Sequence, residues 1–396
     1  MIGLTARLTG RWLTINAAGE PFRAFVPAPL PPDPPVNLAP LLGLLGEADR
    51  AIGRLDGICS TLPDAELFLY MYVRKEAVLS SQIEGTQSSL SDLLLFENQQ
   101  SPSVPLHDVS EVSRYVAAMD HGLKRLRRDG FPLSLRLIRE MHEKLLEAGR
   151  GAQWTPGEFR TSQNWIGGTR PGNAAYVPPP PEYLNEQLGE LEKFLRADRP
   201  LLPTLVKAAL AHVQFESIHP FLDGNGRMGR LLIPFLLCVN DVLKDPILYP
   251  SLYFKQHRER YYALLQEVRV HRDWESWVEF FLGGIRQTAN QAVQAAREIL
   301  DLLEQDAAKL AGLGRARLSA AQVHTALQRH PIFSIPLIAA EAQLSYPPVA
   351  RAIEHMEMLG MVTRMKREHR PQLFTYDRYL AILSQGTEPL RAPDRS

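Results

Sequence analysis

Apolar residues recur every three or four positions through most of the chain, which is the spacing of an amphipathic α-helix. Leu133, Leu137, Met141 and Leu145, for example, share one helical face. The pattern predicts a mainly α-helical fold, with a long connecting helix over 286–312. Other helices are predicted over 41–59, 64–80, 107–129, 132–149, 182–197, 203–217, 227–241, 255–269 and 274–303.

Two segments interrupt this helical pattern. Prolines crowd residues 27–40, and because proline fixes φ and lacks an N–H, we expect an extended arm there, a stiff spacer rather than a ligand for a polyproline-binding domain. Residues 163–177 carry short β-like runs around Gly, Pro and Asn, which predicts a β-hairpin. A two-stranded hairpin is only marginally stable alone, so it either packs on the helices or acts as a mobile flap.

The last part of the chain has a different pattern, three short helices followed by two strands. The helices are predicted over 319–329, 335–342 and 346–359, and strands at 361–364 and 373–376 flank a basic turn. This order is typical of a winged helix-turn-helix. The turn contains Lys366, Arg367 and Arg370, which favours DNA contact, but the recognition helix has Glu354 and Glu357 beside only Arg351. Contact with DNA and contact with another protein both stay open.

Charge and composition narrow the function classes. The 396 residues contain 44 basic and 44 acidic side chains, so the chain lacks the positive field of a nucleic-acid coat protein. Its longest apolar run, 231–239, is far shorter than the roughly 20 residues of a membrane-spanning helix, and the N-terminus has no cleavable signal pattern. Cys59 and Cys238 form no disulfide framework or zinc motif. We expect a cytoplasmic protein without membrane contact.

The densest group of chemically capable residues is the segment 219–230, which lies between two apolar helical segments. A loop entering a helix presents unpaired N–H groups and the positive end of the helix dipole. Gly224 and Gly226 permit positive φ and close approach of a ligand, and Arg227 and Arg230 add positive charge. The pattern predicts a binding site for an oligophosphate.

Three further residues of this segment suggest chemistry. Asp223 offers the single carboxylate with which proteins often hold a phosphate-bound Mg²⁺. His219 precedes the anion site and can act as a general base, and Asn225 tolerates left-handed backbone and offers an amide donor. Taken singly, each residue is typical of an ordinary turn. The ordered run at a helix start favours a nucleotide site.

At these residues the chain resembles the Fic family, whose signature is HPFx[D/E]GN[G/K]RxxR. His219 to Arg230 match it at every defined position, and the resemblance extends over roughly residues 20–290. Lys75–Glu97 resembles the family's N-terminal helical region, Gln163–Pro181 its flap, and Arg258–Tyr262 its adenine-side helix.

The resemblance implies a Fic-type helical core that transfers AMP from ATP, with Mg²⁺, to a Ser, Thr or Tyr hydroxyl of a target protein. It implies that His219 deprotonates this hydroxyl and that Asp223 holds the metal. Relatives of the Doc kind carry Lys in place of Gly226 and phosphorylate instead, so Gly226 favours AMP transfer. The nucleotide-binding residues implied are Asp223, Gly224, Asn225, Gly226, Arg227 and Arg230.

Ser80 to Gly85 fit the family's inhibitory pattern, [S/T]xxxE[G/N]. The spacing alone is typical of a helix end capped by Gly85, but its place inside the matching N-terminal region favours a brake. By resemblance, Glu84 pairs with Arg230 and displaces the γ-phosphate, since a carboxylate competes with phosphate for a guanidinium. In some relatives this glutamate also serves hydrolytic removal of AMP, so a dual activity is open.

The remaining candidates are aromatic and flap residues. By resemblance, Tyr261 or Tyr262 lines the adenine pocket, with Tyr262 favoured, whereas His212 is expected to be structural and Trp274 and Trp277 to belong to the core. The flap is expected to pair with an extended target segment as an added strand. Its target-docking residues would be Ile166, Gly167, Gly168 and Tyr176.

We therefore expect an autoinhibited protein adenylyltransferase, with self-modification and a homodimer as further expectations. The alternative is a DNA-binding regulator whose Fic core senses a nucleotide. The expected layout is an N-terminal arm and inhibitory region (1–106), a catalytic core (107–290), a connecting helix (291–314), a winged helix-turn-helix (315–385) and a tail (386–396).

Overall fold

The computed structural model describes residues 9–17, 20–60, 62, 65–98, 104–147, 154–198, 202–365 and 372–390. About 65% of the described residues are helical, which confirms the predicted mainly α-helical class. The helices are α1 (Leu42–Cys59), α2 (Ala65–Ile83), α3 (Leu90–Glu97), α4 (Leu106–Arg127), α5 (Leu135–Leu146), α6 (Pro181–Arg196), α7 (Thr204–Ile218), α8 (Asn225–Val239), α9 (Ser251–Gln256), α10 (Arg258–His271), α11 (Trp274–Ala311), α12 (Arg317–Arg329), α13 (Ile335–Glu341), α14 (Tyr346–Met358) and α15 (Asp377–Ser384).

The strands form two small antiparallel sheets. β1 (Gly10–Ala17) pairs with β2 (Glu20–Pro27). β5 (Leu373–Thr375) lies between β3 (Ile332–Ser334) and β4 (Thr363–Arg364).

The chain divides into two compact units that interleave along the sequence. The first comprises Met1–Gly53 and Arg114–Ala289, and the second comprises Arg54–Ser113 and Asn290–Ser396. The consecutive layout expected from the sequence stays a prediction. None of the helices in the described ranges is long and apolar enough to span a membrane.

Helix α7 is the centre of the first unit. Its residues 205–218 are all buried, and it packs against α6, α8 and β2. The indole Nε1 of Trp277 donates to the carbonyl of Ala209, 2.9 Å away. Trp277 and Trp274 are 0% and 3% exposed, which confirms them as core residues. The C-terminal end of α7, where the predicted segment 219–230 begins, therefore belongs to a closely packed helix.

The hairpin of β1 and β2 was not predicted from the sequence, which indicated only the proline-rich arm that follows it. Its strands carry the aromatic and β-branched residues that favour pleated structure, and Phe22 and Ala24 pack with Val177. The N–H of Phe25 donates to the carbonyl of Val177 at 2.9 Å. The hairpin thus lies beside the C-terminal stem of the flap.

The flap itself is a loop closed by one bridge, so the predicted hairpin with two strands is wrong in detail. Ile166 pairs with Tyr176, and the tip contains a short 3-10 helix over Pro171–Asn173. The N–H groups of Thr169 and Arg170 both donate to the side-chain oxygen of Asn173 at 3.0 Å. These side-chain bonds replace the strand ladder, since Asn competes well for local backbone donors.

The second unit combines the predicted inhibitory region with the C-terminal chain. Helix α2 packs against α3, α12 and α15. Arg74 pairs with Glu97 at 2.7 Å, and the Gln82 amide donates to the carbonyl of Thr387 at 2.8 Å. The Tyr376 hydroxyl donates to Asp306 at 2.7 Å. The hydrogen bond from Gln82 to Thr387 therefore joins the unit's first chain segment to its second.

The C-terminal elements follow the order α12, β3, α13, α14, β4, β5 and α15. Strand β3 and helix α15 were not predicted, because each is too short to show a clear period. Lys366, Arg367 and Arg370 lie outside the described residues, and Arg364 pairs with Glu357 at 3.1 Å. The winged helix-turn-helix stays a prediction.

Close packing of α4 on α5 and α8 gives a stability prediction. A Cβ added to Gly122 would lie 2.7 Å from Phe235 Cζ and 2.8 Å from Met141 Sδ. We expect Gly122→Ala to destabilise the protein by about 1–3 kcal/mol, because overpacking outweighs the gain in helix propensity. The matched control is Gly189→Ala on α6, where a Cβ meets nothing within 4 Å and we expect a gain of up to ~1 kcal/mol. Equal denaturant midpoints for the two variants would contradict the packing argument.

Candidate active site

The predicted phosphate-binding segment connects α7 to α8 through a sharply turned loop. His219 ends α7 in left-handed backbone, with φ 50° and ψ 61°, and its N–H donates to the carbonyl of Phe215 at 2.9 Å. Gly224 precedes α8 with φ 76°, a conformation that favours glycine. The loop therefore reverses the chain between two buried helices.

The last turn of α7 is held by donors from outside the helix. Arg269 of α10 donates to the carbonyl of Glu216 at 3.1 Å, and the hydroxyl of Tyr176 donates to the carbonyl of Ser217 at 2.6 Å. Arg160 donates through Nε to the carbonyl of His219 at 2.8 Å and through Nη2 to that of Ile218 at 3.4 Å. These are the carbonyls that a helix end leaves without intrahelical partners.

The loop after His219 is held in the same way. The N–H of Arg160 donates to the carbonyl of Pro220 at 2.9 Å. The Asn164 amide donates to the carbonyls of Phe221 and Leu222, at 3.1 and 3.2 Å. The carbonyl of Asp223 lies 3.0 Å from Nε2 of His142.

Each carbonyl from residue 216 to residue 223 consequently accepts a hydrogen bond from another part of the protein. The N–H groups of the first turn of α8, residues 225–227, have no intrahelical acceptor, as at every helix start. With its carbonyls engaged by the protein, the segment presents donors rather than acceptors to a ligand. An anion is the ligand that fits such a surface.

Asn225 contributes through the loop rather than as a free amide. Its Oδ1 accepts from the N–H of Phe221 at 2.8 Å, and its Nδ2 donates to the Phe221 carbonyl at 2.8 Å. The residue is 2% exposed. Its side chain is thus engaged in shaping the loop, and only its backbone N–H is positioned like a ligand donor.

The charged residues of the segment divide into buried and accessible groups. Arg227 and Arg230 are buried on α8, whereas the carboxylate residue Asp223 is half-buried. The uncharged Gly226 between them is half-buried as well. Asp223 accepts from the N–H of Gly224 through Oδ1 at 2.7 Å, and its Oδ2 lies 3.6 Å from Arg227 Nη2. The Asp223 side chain is nevertheless 46% exposed, so its carboxylate remains accessible beside the helix N-terminus.

His219 is held neutral by its surroundings. Burial, followed by the positive charges of Arg160 and Arg269, lowers the pKa of its imidazole to about 3. Nδ1 is buried and has no hydrogen-bond partner among the described residues. At neutral pH the ring is unprotonated, which is the state in which a general base accepts a proton.

His142 is a second neutral histidine at the site, and the sequence analysis missed it. The N–H of Gly157 donates to its Nδ1 at 2.9 Å, so the ring proton is assigned to Nε2, which donates to the Asp223 carbonyl. Burial lowers its pKa to about 4. The ring stacks on Phe221, with centroids 3.6 Å apart. His142 thus supports the loop from α5.

The two tyrosines proposed near adenine have different environments. Tyr261 is 1% exposed, and its hydroxyl lies 2.8 Å from Nε2 of His212. His212 also lies 3.0 Å from the carbonyl of Gly229, so both residues are part of the packed core. Tyr262 is 39% exposed, and the guanidinium carbon of Arg258 lies 5.4 Å from its ring centroid. Of the pair, only Tyr262 presents a ring surface for a ligand.

The flap residues also separate by exposure. Gly167 and Gly168 are exposed, with φ of 69° and 70°, and Ile166 is half-buried. Tyr176 is 3% exposed, and Arg269 lies 3.8 Å from its ring centroid. The Tyr176 ring is therefore packed inside the protein, with its hydroxyl donating to the Ser217 carbonyl, and docking of a target along the flap stays a prediction.

The residues of the expected brake belong to the second compact unit. Ser80 is buried on α2, whereas Glu84 and Gly85 are exposed in the turn that follows the helix. The N–H of Glu84 donates to the carbonyl of Ser81 at 3.0 Å, and Gly85 has a φ of 105°. The pairing of Glu84 with Arg230 stays a prediction.

Comparison with known proteins agrees with this site. Residues 42–124 match the family model described as Fic/DOC family N-terminal, and residues 132–237 match the Fic/DOC family model. The chain belongs to the Fic/DOC family. The segment that matches the Fic/DOC family model, residues 132–237, contains the whole of the loop and most of α8, including His219 and Arg230.

Curated relatives of this Fic/DOC protein are similar over part of their length. This chain is 31% identical over 220 residues to the protein adenylyltransferase Fic of Aedes aegypti, and the alignment covers 55% of this chain and 41% of that protein. It is 29% identical over 240 residues to the protein adenylyltransferase fic-1 of Caenorhabditis briggsae, covering 57% and 43%. The chain thus spans less than half of these relatives.

A solved structure shares the fold. The crystal structure of a Fic family protein from Desulfovibrio desulfuricans G20 aligns with a TM-score of 0.58 at 20% identity. The alignment covers 87% of this chain and 97% of that one.

The residues of the Fic/DOC site include one candidate metal ligand. No cluster of three His, Cys, Asp or Glu side chains occurs within the described ranges. A Mg²⁺ that is also bound by phosphate oxygens needs only one or two carboxylates, so the accessible carboxylate of Asp223 fits such an ion. The adjacent N-terminus of α8 would hold the phosphates.

The residues that hold the loop from outside were not predicted from the sequence. Arg160, Asn164 and Arg269 are single polar residues far from the signature, and nothing in their local pattern marks them. The available signal is that carbonyls at a helix end require donors. That requirement predicts that such donors exist but does not say which part of the chain supplies them.

The neutral histidines predict a pH dependence of stability. Burial lowers the pKa of His142 to about 4 and of His212 and His219 to about 3, below the ordinary value near 6.5. Below pH 6.5 the unfolded chain binds more protons than the folded one, so the free energy of unfolding decreases as pH falls from 6.5 toward these values. At pH 5 each histidine costs about 2 kcal/mol.

Denaturant titrations at pH 7.5 and pH 5 measure this dependence. His212→Gln should make the decrease shallower, whereas His271→Gln, whose side chain is 66% exposed, should leave it unchanged. An unfolding free energy that stays flat from pH 7.5 to pH 5 would show that these histidines are not held neutral.

Proposed function

We propose that this Fic/DOC protein is an adenylyltransferase that moves AMP from ATP to a Ser, Thr or Tyr hydroxyl of a protein. The observation that carries the proposal is the segment 216–223, in which every carbonyl accepts a hydrogen bond from elsewhere in the protein. Neutral His219 lies within this segment, and the N-terminus of α8 follows it. The names of the relatives, which are protein adenylyltransferases, support the same activity.

The phosphates of ATP bind at the start of α8. The N–H groups of residues 225–227 face the anion, and the guanidiniums of Arg227 and Arg230 neutralise its charge. Gly226 has no side chain, so the backbone approaches the phosphates closely. Asp223 would hold Mg²⁺, which when bound supplies charge neutralisation on the phosphate oxygens.

The transfer is an in-line substitution at the α-phosphorus. His219 takes the proton of the target hydroxyl, and the hydroxyl oxygen forms a bond to the α-phosphorus. The bond from that phosphorus to the bridging oxygen of pyrophosphate breaks, and pyrophosphate leaves with the electron pair. The chain contributes by positioning these groups and by neutralising charge, which is most of what phosphoryl chemistry requires.

The neighbouring elements orient the two substrates. Tyr262, exposed on α10, offers a ring on which adenine stacks. The exposed backbone of Gly167 and Gly168 lies beside the Ile166–Tyr176 bridge, and an extended target segment pairs with this part of the flap as an added strand. Backbone pairing places the target hydroxyl without demanding a long sequence motif.

The proposed transfer predicts which ATP phosphate labels protein. Relative to cell lysate with Mg²⁺ alone, addition of the protein should add label to protein from α-labelled ATP and none from γ-labelled ATP. His219→Ala should reduce labelling about 10²–10⁴-fold, because it removes the general base, and should leave ATP affinity within a few-fold. His271→Ala, at an exposed position on the end of α10, is the matched control and should retain full labelling.

Label from the γ position would indicate kinase chemistry instead. Full labelling by His219→Ala would remove His219 from its role. No label from either position even with Glu84→Gly, together with a shift of DNA fragments by the chain, would favour the alternative of a DNA-binding regulator with a nucleotide-sensing core.

The proposal includes autoinhibition by Glu84, which competes with the γ-phosphate for Arg230. Glu84→Gly should raise α-label incorporation by about tenfold or more, since it frees a guanidinium that binds phosphate. Glu84→Gln, which keeps the size and removes the charge, should give most of the same increase. Unchanged incorporation by both variants would refute the brake, and the intact mass of each reports whether AMP is added to the chain itself.

Other parts of the proposal concern further activities, binding partners and cellular location. They are hydrolytic removal of AMP, self-modification, a homodimer, contact of residues 315–385 with DNA or protein, and a cytoplasmic location. Release of AMP from a labelled protein after the ATP is removed tests the first. Sedimentation of the purified chain with and without DNA fragments tests the homodimer and the DNA contact.

A further inference from the structure

Arg160 is a buried cation whose hydrogen bonds go to backbone carbonyls. It is 2% exposed and lies just before the flap. Its guanidinium donates to the carbonyls of Ser162 at 3.1 Å, Pro179 at 2.5 Å, Ile218 at 3.4 Å and His219 at 2.8 Å. Neutral acceptors repay less of the cost of burying a charge than a carboxylate does, so such an arrangement calls for a reason.

These acceptors lie on two different structures. Ser162 and Pro179 belong to the two stems of the flap, and Ile218 and His219 belong to the end of α7. The backbone N–H of Arg160 extends the link to Pro220 at 2.9 Å. The guanidinium of Arg160 therefore links the backbone of both flap stems to the backbone of His219.

We propose that Arg160 is a positioning residue for AMP transfer, which locks the flap stems to His219 and so aligns a docked target hydroxyl with its base. The inference rests on the proposed function. It goes beyond that function because Arg160 lies outside the phosphate-binding segment and touches neither nucleotide nor target.

Arginine is the side chain that suits this role. Its guanidinium carries donors in several fixed directions, whereas a lysine ammonium on a flexible stem reaches fewer carbonyls at once. The charge persists at neutral pH, since burial lowers the Arg160 pKa only to about 10. Arg160 and Arg269, the charged groups that act on His219, are both cationic, and both favour its neutral ring.

Arg269 supports the opposite side of the same helix end. It donates to the Ser217 hydroxyl at 3.1 Å and to the Glu216 carbonyl at 3.1 Å, and it stacks on Tyr176. It has no hydrogen bond to the flap stems in the described structure. Arg269 therefore shares with Arg160 the charge effect on His219, and it contacts the flap through the Tyr176 ring, whereas the hydrogen bonds to both flap stems come from Arg160.

The test compares Arg160→Met, Arg160→Lys and Arg269→Met, with Arg139→Met as the matched control. Arg139 donates to the carbonyl of neighbouring Gly157 and pairs with Glu158, and its side chain is 42% exposed. The first readout is the pKa of His219 from NMR titration of the ligand-free protein. We expect an increase of roughly one unit in Arg160→Met and Arg269→Met, and no change in Arg160→Lys or Arg139→Met.

The second readout is α-label transfer in a Glu84→Gly background, with ATP affinity measured separately by titration calorimetry. Arg160→Met should reduce transfer about 10- to 100-fold with ATP affinity unchanged, since a displacement near 1 Å has this effect. Arg160→Lys should recover only part of the loss, because it restores the charge and not the full set of bonds. Circular dichroism and the unfolding midpoint identify variants that fail to fold.

Two results overturn the proposal. One is an Arg160→Met protein that folds and transfers AMP at the control rate. The other is a parallel loss of ATP affinity and transfer with an unchanged His219 pKa, which would make Arg160 a structural residue only. If the Glu84→Gly reference itself transfers no AMP, the proposed function fails, and the NMR titration with the circular dichroism then decides whether Arg160 acts on His219.

Discussion

A helix that ends beside a ligand must satisfy its last carbonyls without blocking the ligand, and this requirement organises the catalytic unit. The carbonyls from Glu216 to Asp223 find their donors in Arg269, Tyr176, Arg160, Asn164, Asn225 and His142. These residues come from α5, α8, α10 and the flap stems. The signature supplies the ligand-facing groups, while the rest of the unit supplies the donors behind them.

Electrostatics at the site follows from the same arrangement. The donors that reach buried carbonyls include the guanidiniums of Arg160 and Arg269, and their charges act on His219. The chain is neutral overall, yet it concentrates buried cations around one imidazole and one helix N-terminus. Under the proposed function, these cations and the helix N-terminus would favour the binding of a polyphosphate.

The sequence predicted well the features that depend on periodicity or on a contiguous motif. The long helices and the loop at 219–230 are examples, because apolar spacing and ordered polar residues are visible locally. Short elements such as β3, α9 and α15 contain too few residues for a period to emerge. Asn225 was expected to offer its amide to phosphate, but the side chain instead closes the loop onto Phe221, a choice that depends on three-dimensional geometry.

The interleaved units have a consequence for synthesis on the ribosome. Helix α2, which carries Ser80, has packing partners in α12 and α15 and a hydrogen bond from Gln82 to Thr387. These partners leave the ribosome some 240 to 300 residues later, at roughly 5–20 residues per second. The phosphate-binding segment and α8 are complete well before then. Under the proposed function, the residues assigned to AMP transfer are thus synthesised before the surroundings of the expected brake are finished.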